Sequence, residues 1–374
     1  MEQIKKESKK NKIEINIKNN EDRKEDDFTH QLSQFKYKQF STYNIDLFRS
    51  SKLLKTFTEH NNNVYSIDYS TFYDGQFICS GSGDNTVRVW DIEDNSQIQS
   101  FNGHSKYVYC TIRFWDFKDN KQLKLLNEYT DWVGGIEFSP FYSGRYLCSG
   151  SGDKTIHLWD VETFKSLHVF NGHAKGVWCV DFSPLQSGSN NSEKINNIGV
   201  IGGNGYTICS GSNDKTICMW DIETAKQIIV FKGHKDCVRN VKYGRENTIL
   251  SGSEDKSVCL WDIRSGQPIQ QFKGHKNFVY AVEYSPFIIK DIIEVVGSNV
   301  LCSGSLDNTI RFWDIRSNKN ELFVIKGDEK EDKGILCLKF MSLKKKVKSN
   351  EQKANGDCVN LCYGSTKGPI RVWG

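Results

Sequence analysis

The chain has no stretch approaching eighteen consecutive apolar residues, so nothing in it reads as a membrane-spanning helix. The first sixteen residues, rich in Lys and Glu, lack both an apolar core and a small-residue cleavage site, which argues against secretion and for a cytoplasmic or nuclear protein. A large excess of one charge is missing as well. The formal net charge is +4 over 374 residues, and without a basic stripe this argues against a nucleic-acid binder. Among 12 cysteines no Cys-x-x-Cys pair occurs, which argues against a zinc site. There is also no singular cluster of acids, histidines or thiols of the kind catalysis needs, since His30, His157 and His168 stand apart. No catalytic residue, metal ligand or cofactor site is assigned.

Repetition fills the space these absences leave. A pattern Ser-Gly-Ser-x-Asp-(Asn/Lys)-(Thr/Ser)-(Ile/Val)-x-x-Trp-Asp runs through residues 80–91, 149–160, 210–221, 251–262 and 303–314. An aromatic-x-Gly-His element stands at Phe101–His104, Phe170–His173, Phe231–His234 and Phe272–His275, each followed by a valine. The cysteines obey the same grammar. Cys79, Cys148, Cys209 and Cys302 precede Ser-Gly-Ser, and Cys110, Cys179 and Cys337 recur at a second position. They read as reduced thiols acting as small core hydrophobes. Between Gly-His and Trp-Asp lie short alternating runs, such as Tyr65–Tyr69 and Thr86–Trp90, separated by Gly, Asp and Asn. Each unit therefore supplies about four short antiparallel strands, whose sheet has two faces to bury. Stacking such sheets in a ring buries both and leaves only short edges.

These motifs resemble the WD40 family, over nearly everything from about residue 45 to the end. The resemblance implies an all-β propeller of seven repeat units, with residues 45–374 forming the ring and residues 1–44 a charged, disordered tail. It also implies structural hydrogen-bond tetrads: His60, Ser80, Asp84 and Trp90; His173, Ser210, Asp214 and Trp220; His234, Ser251, Asp255 and Trp261; His275, Ser303, Asp307 and Trp313. A Ser/His/Asp set invites comparison with a hydrolase triad. A catalytic set occurs once, however, whereas this one recurs at constant spacing, so the structural reading prevails.

Three units depart from the pattern. In the second, His104 and Trp115 are separated by less than half the spacing between His234 and Trp261. A stretch long enough to hold a second strand is therefore absent between Cys110 and Thr111. Either the blade is genuinely short or the coding sequence lacks a segment, so the ring is expected to have six full blades and a partial one. The third unit carries Tyr129 in place of histidine. The last has Asp328 for His and Lys367 for Asp, and both blades are expected to be looser. The chain stops at a third strand, Val372-Trp373-Gly374, while residues 45–57 read like a segment that follows Trp-Asp. That segment is expected to complete the last blade. Insertions at 185–205, 287–299 and 342–357 should all lie on the bottom face. The basic run Lys344–Lys348 within the last reads as a solvated loop.

In the family, partners often bind across the top face. Carried over, the residues flanking the first-strand valine are Tyr65, Tyr107, Tyr109, Trp132, Trp178, Arg239, Phe278 and Tyr280. Those before the tetrad Asp include Asn213, Glu254 and Leu306. Exposed Trp, Tyr and Arg are the types enriched in interface hot spots, though several could simply plug the central channel. The expected role is a protein-interaction scaffold, monomeric by itself, binding other proteins or peptides. The alternatives are a recognition or signalling subunit of a ubiquitin-ligase, G-protein-β-like or chromatin complex and, less supported, a propeller enzyme.

Overall fold

The computed structural model describes residues 43–72, 75–104, 111–140, 144–183, 206–244, 247–288, 299–317, 321–343 and 358–374. Six four-stranded antiparallel sheets form six blades. Blade 1 holds Val64–Phe72, Gly75–Ser82, Val87–Asp91 and Ser96–Phe101. Blade 3 holds Val133–Phe138, Tyr146–Ser151, Thr155–Asp160 and Lys165–Asn171, and blade 4 Val177–Phe182, Thr207–Ser212, Thr216–Asp221 and Gln227–Lys232. Blade 5 is Val238–Tyr243, Thr248–Ser253, Ser257–Asp262 and Gln267–Lys273; blade 6 is Val279–Tyr284, Val300–Ser305, Thr309–Asp314 and Phe323–Lys326. Blade 7 takes Ile335–Leu343, Cys358–Ser365 and Ile370–Trp373 from the end of the chain and its outer strand, Leu53–Phe57, from the beginning. The ring therefore closes by clasping its two ends, as the sequence implied. A short helix, Ile45–Phe48, precedes the clasp and tucks Ile45 and Phe48 under blades 6 and 7.

Blade 2 has two strands among the described residues, Ile112–Asp116 and Lys121–Leu126. Its outer half is nevertheless seated. Phe101 of blade 1 packs on Trp115 at 5.3 Å, and Ile112 and Leu126 join Tyr129, Leu147 and Trp159 of blade 3. The same phenylalanine-on-tryptophan contact joins other blades, at 5.2 Å for Phe57–Trp90 and 5.9 Å for both Phe170–Trp220 and Phe231–Trp261. That no second strand stands among the described residues of this blade accords with the stretch that the sequence lacks between Cys110 and Thr111.

The repeat residues explain the local folding. In Ser-x-Asp-(Asn/Lys)-Thr, the Asp84 carboxylate accepts from both the amide and the hydroxyl of Thr86, at 3.0 and 2.7 Å, and this fixes the turn. The residue after that Asp takes a positive φ, from 62 to 76° at Asn85, Lys154, Lys215, Lys256 and Asn308. After Trp-Asp, the aspartate oxygen accepts the amide two residues on, at 2.7 Å for Asp91 and 2.9 Å for Asp262, turning the chain into the outer strand. The glycine of Ser-Gly-Ser is required by the next blade. A Cβ on Gly150, Gly211 or Gly364 would lie 2.6 Å from the side chain of Val177, Val238 or Val64. Blades stack this closely because each apolar cluster spans two of them. Cys148, Ile156 and Phe170 of blade 3, for example, pack with Val180, Phe182 and Trp220 of blade 4.

Several expectations need correction. Cys79 is exposed and Cys237 half-buried, so not every thiol is a core hydrophobe. All the cysteines for which side chains are described are free. Residues 1–42 of the tail expected at 1–44, and most of the insertions, lie outside the described residues, while Tyr43–Asn44 forms a short strand. Phe287–Ile288, at the start of one insertion, pairs in parallel with Tyr43–Asn44.

Candidate interaction surface at the mouth of the ring

Four tetrads are complete. His60 Nε2 lies 2.8 Å from Ser80 Oγ and its Nδ1 2.7 Å from Asp84, while Trp90 donates to Ser80 at 2.8 Å. The sets of His173, His234 and His275 repeat this geometry, with ring-to-carboxylate distances of 2.8, 2.8 and 3.0 Å. Each histidine sits in the loop leaving one blade and bonds the next, so the tetrads sew neighbouring sheets together. Burial tends to raise the carboxyls of Asp214, Asp255 and Asp307, but bonds from the paired histidine and a hydroxyl outweigh it and hold all three below the usual range. These are recurring, satisfied, buried networks, and none is open to a substrate.

The two units with substituted tetrads are bonded by other residues. In blade 3, Tyr129 takes the place of histidine. Its hydroxyl meets Ser149 Oγ and accepts from Trp159 Nε1 at 2.9 Å, while His157 stacks on Trp159 at 5.2 Å. In blade 7 the residue that replaces the tetrad is Asp332, four positions beyond Asp328. It is fully buried, accepts from Tyr363 at 3.0 Å and pairs with Arg371 at 2.9 Å. In blade 3 the substitute restores the bonds to serine and tryptophan, whereas in blade 7 Trp373 Nε1 and Ser365 Oγ stay buried without partners, so that network is incomplete as expected.

The tetrads also place the mouth. The residue before each tetrad Asp donates its amide to the carbonyl just ahead of the inner strand. Gly83 bonds Asn63 at 2.8 Å, Asn213 bonds Gly176 at 2.9 Å, Glu254 bonds Cys237 at 2.9 Å and Leu306 bonds Phe278 at 3.0 Å. The two sets of residues singled out in the sequence thus stand side by side at one end of the ring. Trp132 and Trp178 stack with centroids 4.0 Å apart. The Arg239 guanidinium lies 4.0 Å from the Trp178 ring and 5.3 Å from that of Tyr280. Arg239 Nε donates to Glu254 at 2.7 Å, and Trp178 Nε1 donates to Asn213. These six side chains form one continuous patch over blades 3 to 6. Arg239 Nη1 is buried there without an acceptor. Tyr65, 49 % exposed, extends the patch from blade 1, and Asn63 donates to its hydroxyl at 2.8 Å. Tyr107 and Tyr109 lie outside the described residues.

Sequence reasoning missed two features. The carboxylates of Asp236 and Glu254 and the thiol of Cys237 offer atoms within 4.8 Å of one another at the mouth, with Glu254 already engaged by Arg239. Deeper in, the fifth residue of each full blade's inner strand is charged: Asp68, Glu137, Asp181, Lys242, Glu283 and Lys339. Lys242 sits 3.6 Å from Glu137 and 3.7 Å from Asp181, and Lys339 2.8 Å from Asp68. Burial, only partly offset by Lys242, pushes Asp181 up to about 6. The recurrence of charge at one repeat position was the available signal.

Comparison with known proteins agrees with this geometry. The family model described as "WD domain, G-beta repeat" matches residues 51–91, 120–160, 164–221, 225–262 and 266–314. The peroxisomal targeting signal 2 receptor of Mus musculus is 36% identical over 66 residues, 18% of this chain and 21% of that protein. A subunit of chromatin assembly factor 1 from the same organism is 41% identical over 56 residues, 15% of this chain and 9% of that one. The U3 small nucleolar RNA-associated protein 15 homolog of Xenopus tropicalis is 39% identical over 57 residues, 15% of this chain and 11% of that one. The aligned part thus spans about a fifth or less of the curated relatives it matches.

Proposed function

The chain belongs to the WD40-repeat family, and from that premise we propose that it works as a non-enzymatic scaffold or adaptor holding other proteins or peptides at the mouth of its ring. One observation carries the reading. Positions that build the fold repeat from blade to blade, whereas the residue after the inner-strand valine changes from Tyr65 to Trp178 to Arg239 to Tyr280. A ring whose frame positions recur while these mouth positions differ presents an individual surface on a common frame. The surface is also of the right type, since stacked tryptophans and a ring-flanked arginine are common interface anchors. Relatives named as a receptor and as an assembly-factor subunit fit the adaptor role, including a recognition or signalling subunit of a larger complex. An enzyme is less supported, because every Ser/His/Asp set described is a closed tetrad. No helix among the described residues is long and apolar enough to cross a membrane.

Affinity purification from cells that express the protein tests this. The wild type should retain stoichiometric partner proteins that a Trp132→Ala, Tyr280→Ala double variant loses while keeping its circular dichroism spectrum. Retention of the same partners by the double variant would refute the mouth as the binding surface.

A further inference from the structure

We propose that residues 12–18 of this same chain dock as the missing strand of blade 2, along the edge of Ile112–Asp116 and over Ile136 and Phe138. Among the described residues that edge pairs with no strand, although the opposite edge is fully paired with Lys121–Leu126. In intact neighbours the second strand of one blade lies against the inner strand of the next, as Tyr146–Ser151 does against Val177–Phe182. The inner strand of blade 3 lacks this cover. Ile136 is 50 % exposed, where its counterparts Val180, Val241 and Val282 are 6, 1 and 2 % exposed. Phe138 is 47 % exposed against 4 % for Phe182. On the other side of the vacancy Cys79 is exposed, while Cys148, Cys209 and Cys302 at the same repeat position are wholly buried.

The vacancy also has polar demands. In blades 1 and 6 the hydroxyls of Thr86 and Thr309 donate to the tetrad carboxylates at 2.7 and 2.5 Å and accept from Arg88 and Arg311. In blade 2 that carboxylate belongs to the absent stretch, and Thr111 Oγ1 and Arg113 Nε are buried without partners. At channel level the two acids beside the vacancy are already paired, Asp68 with Lys339 and Glu137 with Lys242. Its occupant therefore needs apolar side chains two residues apart on one face and an acceptor on the other.

Within residues 1–42, one run alternates strictly with three apolar members: Lys12-Ile13-Glu14-Ile15-Asn16-Ile17-Lys18. As a strand it turns Ile13, Ile15 and Ile17 to one side and Glu14 and Asn16 to the other. The isoleucines suit the wall of Ile136 and Phe138, and the Glu14 carboxylate suits Thr111 and Arg113. The chain between Lys18 and Tyr43 can extend about 80 Å, well beyond the radius of gyration of ~20 Å expected for a domain of this size. Pairing of this kind supplies main-chain hydrogen bonds and apolar cover without a change of fold.

Hydrogen exchange on the full chain tests the proposal, compared with an Ile13→Asp, Ile15→Asp, Ile17→Asp variant whose changes lie outside the ring. In the wild type, amides of 12–18 and 112–116 should exchange at least about tenfold more slowly than in the variant, and melting of the variant should fall by a few degrees. Free-chain exchange of 12–18 in the wild type would overturn the proposal. So would protection that disappears on dilution together with a halving of the sedimenting mass, since a second copy would then fill the place.

Discussion

His60 and His234 hold the same place in the repeat, yet their surroundings drive them in opposite directions. Burial lowers His60, and its bond to Asp84 offsets only part of that. At His234 burial is outweighed by Asp255 and the adjacent Cys259, which raise it to about 9. The raised group contributes stability that is complete below about pH 6.5 and lost as pH rises through about 9. The tetrad aspartates contribute stability present above about pH 4 and lost as pH falls below it. Ring-proton NMR should show His60 titrating below 6.5 and His234 near 9, with Asp255→Asn bringing His234 down. Identical titration of both histidines would contradict this account. The four full tetrads were legible in the sequence because their residue types recur at fixed offsets. The roles of Tyr129 and Asp332 were not, because one changes the type and the other shifts the position, and only the geometry shows Tyr129 bonded to Ser149 and Trp159 and Asp332 to Tyr363 and Arg371.

At the scale of the element, the closing strand Leu53–Phe57 shows how alternation decides cost. Phe57 is 2 % exposed and packs on Trp90 at 5.2 Å, while Leu54, on the other side of the strand, is 52 % exposed. Chemical denaturation should show Phe57→Ala losing about 3–5 kcal/mol and Leu54→Ala within about 1 kcal/mol of the wild type. Equal losses would mean that the clasp is not packed as described. This strand could be read from its likeness to the segments that follow Trp-Asp. The helix at Ile45–Phe48 could not, since four residues carry too little periodicity to announce a helix. The break in blade 2 was visible as the shortened spacing from His104 to Trp115, but spacing alone did not say that Phe101 and Trp115 would keep the outer half in place.

The whole molecule is a ring that repeats its frame and individualises its mouth. The frame was legible because one supersecondary unit, copied around an axis, writes the same residues many times. The mouth was legible only as a set of residue types. Their assembly into one patch, with Trp178 between Trp132 and Arg239, depends on contacts between different blades, which no single repeat encodes. Nor could the sequence assign Arg239 to Glu254 rather than to a partner. The most direct measurement is a hydrogen-exchange footprint of the protein with and without its stoichiometric partner. The account predicts slowed exchange in the mouth loops around Trp132, Trp178, Arg239 and Tyr280, with the insertions at 185–205, 287–299 and 342–357 unchanged. A footprint confined to those insertions, with the mouth loops exchanging as in the free protein, would contradict it.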